Sequence, residues 1–321
     1  MAYHIVDNDV VEISDDFVES IFNEHLPKQS FIINNPSDVE YLYNSKIKFH
    51  YVFFNSCTNP VNVEKQIKDI DIKCNFYILT GLYKYHTHLT PDDRIKYFPF
   101  WAIWSSYQTI NYNDSYRKYR VSCLNGTPWV HRKLMYLALS QKSYFNDMIF
   151  TFGNRTEFNP YPTEIALTSE EKEKSFLLPS NMIFLDSDAS CGIDVSITHP
   201  AFTDCYVNLV TETNVYNDTP MLSEKTFKPI LAGQLFILLA SPGAVQFLRD
   251  IGIDTFDDII DHSYDDTTDI RSRIQQISDQ VDRLDRLDLD HIHHDIKPRL
   301  RKNSEFLRSQ EFRNQFNLNF G

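Results

Sequence analysis

The chain has 321 residues, with 31 Lys+Arg against 44 Asp+Glu and a formal net charge of −13; it is 42% hydrophobic and 14% aromatic. That apolar content offsets the ordering entropy of folding and excludes a disordered chain. The net acidity argues against tight non-specific binding of nucleic acid, which depends on basic surfaces, and no run of about 18 uncharged apolar residues is present to span a membrane.

Length predicts two domains, or one large domain with an appendage. Met1 to Val10 carries His4, Asp7 and Asp9. It lacks the basic stretch and apolar core of a secretory signal. Cys57, Cys74, Cys123, Cys191 and Cys205 are scattered and form no CxxC pair. That usage fits a reducing cytoplasm and neither a disulfide framework nor a zinc cluster. Only 8 Gly, with no GxGxxG and no GxxxxGK[ST], argue against a typical Rossmann dehydrogenase or P-loop enzyme.

Taken in chain order, Ser30 to Asn34, Phe49 to Asn55 and Asn75 to Thr80 are short apolar, β-branched or aromatic runs between polar residues. They predict buried strands. Ser37 to Asn44 and Pro60 to Ile70 between them carry helical spacing, so the rhythm is βαβ and the sheet parallel. Thr90-Pro91-Asp92-Asp93 has the cap, proline and acids of a helix start. Asn111 to Arg117 is the candidate linker. The rhythm then restarts: strand Tyr119 to Cys123, turn Asn125 to Pro128, helix from about Val130 to Ser140, strand Met148 to Phe152. Glu157 to Pro179 is polar and irregular. Further strands are expected at Met182 to Leu185, Tyr206 to Thr211 and Gln234 to Ala240. Thr268 to Leu287 places Ile270, Ile274, Ile277, Val281, Leu284 and Leu287 at helical spacing, and Asp295 to Phe316 continues as helix. The expected division is an N-terminal α/β domain over 1–115, a second α/β domain over 116–262 and a helical tail over 263–321.

Chemistry concentrates in Tyr206 to Gly243. A strand ends at Glu212. A loop follows, Ser223-Glu224-Lys225-Thr226 opens a helix, and a second strand closes on Ser241-Pro242-Gly243. In open parallel sheets ligands bind at the carboxyl ends of the strands, where helix N-termini favour phosphate. Glu224 can accept hydrogen bonds from both hydroxyls of a ribose, and Lys225 and Lys228 can neutralise a diphosphate. The plainer reading is an ordinary helix start, with Ser223 as cap, Glu224 favouring the dipole and the lysines in solvent.

The order of these motifs resembles the donor-binding half of the α1,3-fucosyltransferase superfamily. There, a strand ending in Phe-Glu-Asn precedes a Thr-Glu-Lys helix start and a Leu-Ala-Gly. Glu212, Ser223-Glu224-Lys225 and Leu231-Ala232-Gly233 correspond; Thr213 stands where the family has Asn. Upstream, Val121 to Asn125, His131-Arg132 and Phe152-Gly153 match its strand, helix-start arginine and strand closing on glycine. The likeness spans roughly residues 119 to 250, and Ser223 to Tyr264 is also similar to glycosyltransferase-like proteins of tailed bacteriophages.

This resemblance implies a GT-B fold: two Rossmann-like domains facing across a cleft, with a helical C-terminal tail. It implies a metal-independent, inverting transfer from a nucleotide-diphosphate sugar to the hydroxyl of a glycan or a modified DNA base. The nucleotide sugar is a co-substrate, and no separate cofactor is expected. Asn125, Arg132, Glu212, Ser223, Glu224, Lys225, Lys228 and Gly243 would bind the donor, with Arg132 on the β-phosphate. Arg132 and Lys225 would also be catalytic. A base from the first domain is needed for the acceptor; Asp92 is the candidate, beside Asp93, His86 and His88. Trp101, Trp104 and Tyr107 are core aromatics or an acceptor platform.

Two other readings stay open. Phe184-Leu185-Asp186-Ser187-Asp188 resembles the metal-binding Asp-x-Asp of the other main glycosyltransferase fold, although so short a motif is also an ordinary strand end. The third reading is a non-catalytic nucleotide-binding α/β protein.

Overall fold

The structure, a computed structural model, describes residues 2–6, 9–12, 30–33, 51–55, 75–80, 95–106, 108, 112, 115–152, 166–176, 197–216 and 220–315. The chain divides into two compact units, one formed by Met1–Tyr107 with Gln310–Gly321, the other by Gln108–Ser309.

The first unit holds a six-stranded sheet built from β1 (Ala2–Val6), β2 (Asp9–Glu12), β3 (Ser30–Ile33), β4 (Tyr51–Asn55), β5 (Asn75–Thr80) and β6 (Ile95–Pro99). Its order is β2-β1-β3-β4-β5-β6. β1 and β2 form an antiparallel hairpin at one edge, and the remaining pairings are parallel. The three strands expected from apolar runs are present. The helix expected to open at Thr90 does not run through Ile95–Pro99, which is strand β6; helix α1 (Phe100–Ser106) begins one residue later and carries Trp101 and Trp104. A run of Ile, Tyr and Phe favours a pleated strand over a helix turn, and Pro99 stands at the end of the strand. The expected helices at 37–44 and 60–70 lie outside the described residues, as do Gly153, Met182 to Leu185, and the side chains of His86, His88, Asp92, Asp93, Trp104, Tyr107, Asp186 and Asp188.

The second unit is a four-stranded parallel sheet of β7 (Tyr119–Asn125), β8 (Ile149–Phe152), β9 (Cys205–Thr211) and β10 (Leu235–Leu239), in the order β10-β9-β7-β8. Every residue of β8, β9 and β10 is buried, as strands covered on both faces must be. Helix α2 (Val130–Leu139) links β7 to β8. Helix α5 (Glu224–Leu231) links β9 to β10. The two crossovers step in opposite directions along the sheet, so their right-handedness places the two helices on opposite faces. Helix α3 (Ser169–Phe176) and the short α4 (Pro200–Thr203) precede β9, and α6 (Ala244–Asp250) follows β10.

Two long helices complete the unit. Helix α7 (Ile270–Asp285) packs on α2 and β10. Helix α8 (Leu289–Leu307) packs on α5 and β9. The apolar stripe of α7 is buried at Ile270, Ile274, Ile277, Val281 and Leu284. The remaining helix, α9 (Gln310–Asn314), belongs to the first unit. Gly233, at the end of α5, has a φ of +62° and lies against the Tyr112 ring, where a Cβ would sit 3.0 Å from a ring carbon. Among the described residues no helix is long and apolar enough to cross a membrane.

Candidate functional site

The chain leaves β7 for β8 on one side and returns to β9 on the other, so the sheet's topological switch lies between the carboxyl ends of β7 and β9. Asn125 and Thr211 end these strands. The Thr211 hydroxyl donates to Asn125 Oδ1 at 2.5 Å, tying the two tips together beneath the edge. Asn125 is fully buried.

Arg132 comes in from the first turn of α2. Its Nη1 donates to Thr127 O at 2.9 Å and its Nη2 to Thr211 O at 3.0 Å. With 2% of its surface exposed, this cation braces the turn after β7 against the end of β9. Beside it, His131 Nε2 lies 2.9 Å from Glu212 O. A carbonyl only accepts, so Nε2 carries the proton and Nδ1 is the acceptor. Burial, then the charge of Arg132 and also that of Lys225, hold the imidazole well below its usual pKa against the opposing pull of the carbonyl. The ring is neutral, and both cations of the expected site act on it.

Glu212 is the hub of the loop after β9. It is fully buried, and its carboxylate accepts from Ser223 N (2.8 Å), Ser223 Oγ (2.6 Å) and Thr226 Oγ1 (2.6 Å). It therefore acts on the site by fixing the start of α5. Ser223 is the cap of that helix, its hydroxyl accepting from Lys225 N. The Lys225 ammonium donates to Thr213 Oγ1 at 3.2 Å and lies 3.5 Å from Ser223 Oγ. Thr213 thus helps to steady this lysine. Lys228 is buried in the last turn of the same helix.

Glu224 is different. It is 3% exposed, and Lys225 Nζ lies 3.7 Å from its Oε1, beyond hydrogen-bond length. Among the described residues its carboxylate takes no hydrogen bond. Its oxygens are not among the fully enclosed atoms that lack a partner, so they keep some contact with solvent. The same arrangement is what a ligand with paired hydroxyls would complete.

The tip of β10 is closed by the chain itself. Gly243, at φ +81°, precedes α6 and donates its N–H to Asp265 O. The Asp265 carboxylate takes the N–H groups of Val245 and Gln246 at 3.0 and 3.1 Å. Burial raises the Asp265 pKa despite these two bonds. Gly243 therefore belongs to a turn whose following amides already hold an internal carboxylate.

The structure thus gathers Arg132, Glu212, Ser223, Glu224 and Lys225 around the tip of β9, with Asn125 beneath. An open groove of about 390 Å³ lies elsewhere, between α2, α3 and α7, lined by Leu134, Ile274, Glu171 and Arg271 among others. Sequence reasoning assigns no role to His131, although it names the His131–Arg132 pair, and passes over Tyr216; only tertiary structure shows that the histidine faces the Glu212 carbonyl. Among the described residues no group of three or more His, Cys, Asp or Glu is placed to hold a metal ion.

No protein-family model matches the sequence, and no curated protein does. Solved structures similar to it include two at low identity. One is the DNA-modifying enzyme β-glucosyltransferase, solved in the presence and absence of uridine diphosphoglucose, at 14% identity, TM-score 0.42, covering 91% of this chain and 82% of that one. The other is T4 phage BGT in complex with UDP and Mn²⁺, at 12% identity and TM-score 0.41, with the same coverage.

Proposed function

We propose that the second unit binds a nucleoside-diphosphate sugar at the tips of β7 and β9, and that the protein is a GT-B glycosyltransferase moving the sugar to an acceptor hydroxyl. The observation that carries this reading is Glu224: a buried carboxylate at a helix start, on the carboxyl edge of a parallel sheet, with no hydrogen bond of its own and a lysine ammonium beside it. Two adjacent ribose hydroxyls would give that carboxylate the two donors it lacks. Lys225 would then lie against the diphosphate.

The chemistry follows from charge. Breaking the bond from sugar to diphosphate develops negative charge on the departing phosphate oxygens, and a prepositioned cation is worth more there than in water. Lys225 meets that charge directly. Arg132 adds its field while it braces the strand tips, and Glu212 and Ser223 are positioning residues that aim the helix. Lys228, Asn125 and Gly243 complete the proposed donor surround. In this reading the cations take the place of a metal, inversion follows from direct displacement, and Asp92 of the first unit is the proposed base for the acceptor, a glycan or a modified DNA base.

A thermal-shift screen against GDP-, UDP-, ADP- and CMP-sugars tests the reading. A ligand at 100 times its Kd adds about 2.7 kcal/mol of stability, and one class of nucleotide should do so. No shift with any of them would remove the donor site.

A further inference from the structure

Beside the proposed donor site, two polar atoms are buried with no hydrogen-bond partner among the described residues: His131 Nδ1 and the Tyr216 hydroxyl. His131 lies on the first turn of α2 and is 1% exposed. Tyr216 lies in the loop between β9 and α5. Their rings meet edge to face, with centroids 6.2 Å apart.

The two orphan atoms are opposite in sense. His131 Nε2–H is committed to the Glu212 carbonyl, so Nδ1 offers only a lone pair. The Tyr216 hydroxyl has a proton to give. Leaving either unmet inside a protein costs roughly 1–3 kcal/mol, and the great majority of such atoms in folded proteins find partners. His131 is one residue from Arg132 and Tyr216 four residues past Glu212, and the Arg273 and Arg271 charges of α7 act on the Tyr216 phenol.

The group that answers both atoms at once is a hydroxyl: it donates to the imidazole and accepts from the phenol. We propose that His131 and Tyr216 form a hydroxyl-binding subsite that reads one sugar hydroxyl of the bound nucleotide sugar, either of the ribose or of the sugar to be transferred. This rests on the donor-site reading above and adds residues to it.

The test uses the whole chain with ¹⁵N-labelled histidine and follows the His131 Nδ1 resonance, whose position reports hydrogen bonding to the lone pair. The probes are the nucleotide sugar selected by the thermal screen and the corresponding nucleoside diphosphate. A shift with both assigns the ribose, and a shift with the nucleotide sugar alone assigns the transferred sugar. Tyr216→Phe should bind the responsive probe roughly five-fold more weakly, the worth of one ordinary hydrogen bond, while its Tm holds or rises. H131Q, which can keep a donor to the Glu212 carbonyl but loses the second nitrogen, should weaken binding similarly.

An Nδ1 signal unmoved at saturation, or Tyr216→Phe binding like the wild type, overturns the subsite. If no nucleotide sugar binds, the donor-site reading fails by itself. The same resonance is then followed with free glucose and ribose: a shift retains the subsite and its absence removes it.

Discussion

The two edges of the second sheet are built from similar residues toward different ends. At the amino edge, Arg117 is 1% exposed, with Nη1 donating to Phe202 O and Cys205 O and Nη2 to Ala232 O and Gly233 O. Gln234 adds donors to Ala201 O and Cys205 O. Cation and amide here close a seam of backbone carbonyls. At the carboxyl edge Arg132 does likewise, but beside it stand the Glu224 carboxylate, His131 Nδ1 and the Tyr216 hydroxyl, each without a hydrogen bond among the described residues. At the amino edge the buried cation closes on backbone carbonyls alone, whereas at the carboxyl edge polar side chains stand beside the cation that a ligand could engage.

Substitutions at each edge sharpen this contrast. The largest effect is expected from Lys225→Ala, which should lower turnover on the order of 10²-fold, as loss of a transition-state donor does. Its thermal midpoint should stay close to wild type, because the side chain is a quarter exposed. Steady-state kinetics and a melting curve on the same preparation check both halves. Arg117→Ala should do the reverse. Stripping buried carbonyls of their donors should cost about 3 kcal/mol or more, read by denaturant unfolding, while affinity for the donor in the remaining folded protein holds.

Acidification is expected to act next. His131 and His262 are buried neutral, with pKa values lowered from 6.5 chiefly by burial. His262 is locked between the Tyr264 hydroxyl and Thr255 O. Since the folded pKa values lie below the unfolded one, the unfolded chain takes up protons first. Stability is full above about pH 6.5 and falls as the pH drops through and below it. Unfolding curves between pH 7.5 and 5 should show that slope, and His262→Gln should flatten it.

The smallest expected effect is that of a chelator: donor hydrolysis should be unchanged. A strong loss restored by Mn²⁺ or Mg²⁺ would favour Asp186 and Asp188 as metal ligands instead.

Much of this frame is legible in the sequence, for identifiable reasons. Buried parallel strands are continuous apolar runs, so β3, β4, β5, β9 and β10 stand out, and the stripe from Ile270 to Leu284 marks α7 unaided. Other elements have signals that are easy to pass over. Thr168 and Glu171 form a capping box, with Thr168 N donating to Glu171 Oε2 and Glu171 N to Thr168 Oγ1; that box opens α3 inside a stretch otherwise read as irregular. In Ile95–Pro99 the helix-start chemistry just upstream outweighs the β propensity that wins.

The motif around Glu224 is visible in one dimension, but its meaning is not. Spacing cannot distinguish a saturated carboxylate from an open one. Only the folded arrangement shows that Glu212 is filled by Ser223 and Thr226 while Glu224 is not. The pairing of His131 with Tyr216 depends on a loop and a helix far apart in sequence, so no local pattern announces it.

The central claim is that Glu224 recognises a ribose. Calorimetric titration of the wild type and Glu224→Gln with the preferred nucleoside diphosphate and its 2′,3′-dideoxy analogue tests it most directly. The account predicts that the wild type binds the ribonucleotide about 10-fold or more tighter, in line with hydrogen bonds to a charged group, and that Glu224→Gln loses most of that preference. Equal preference in both proteins would contradict it.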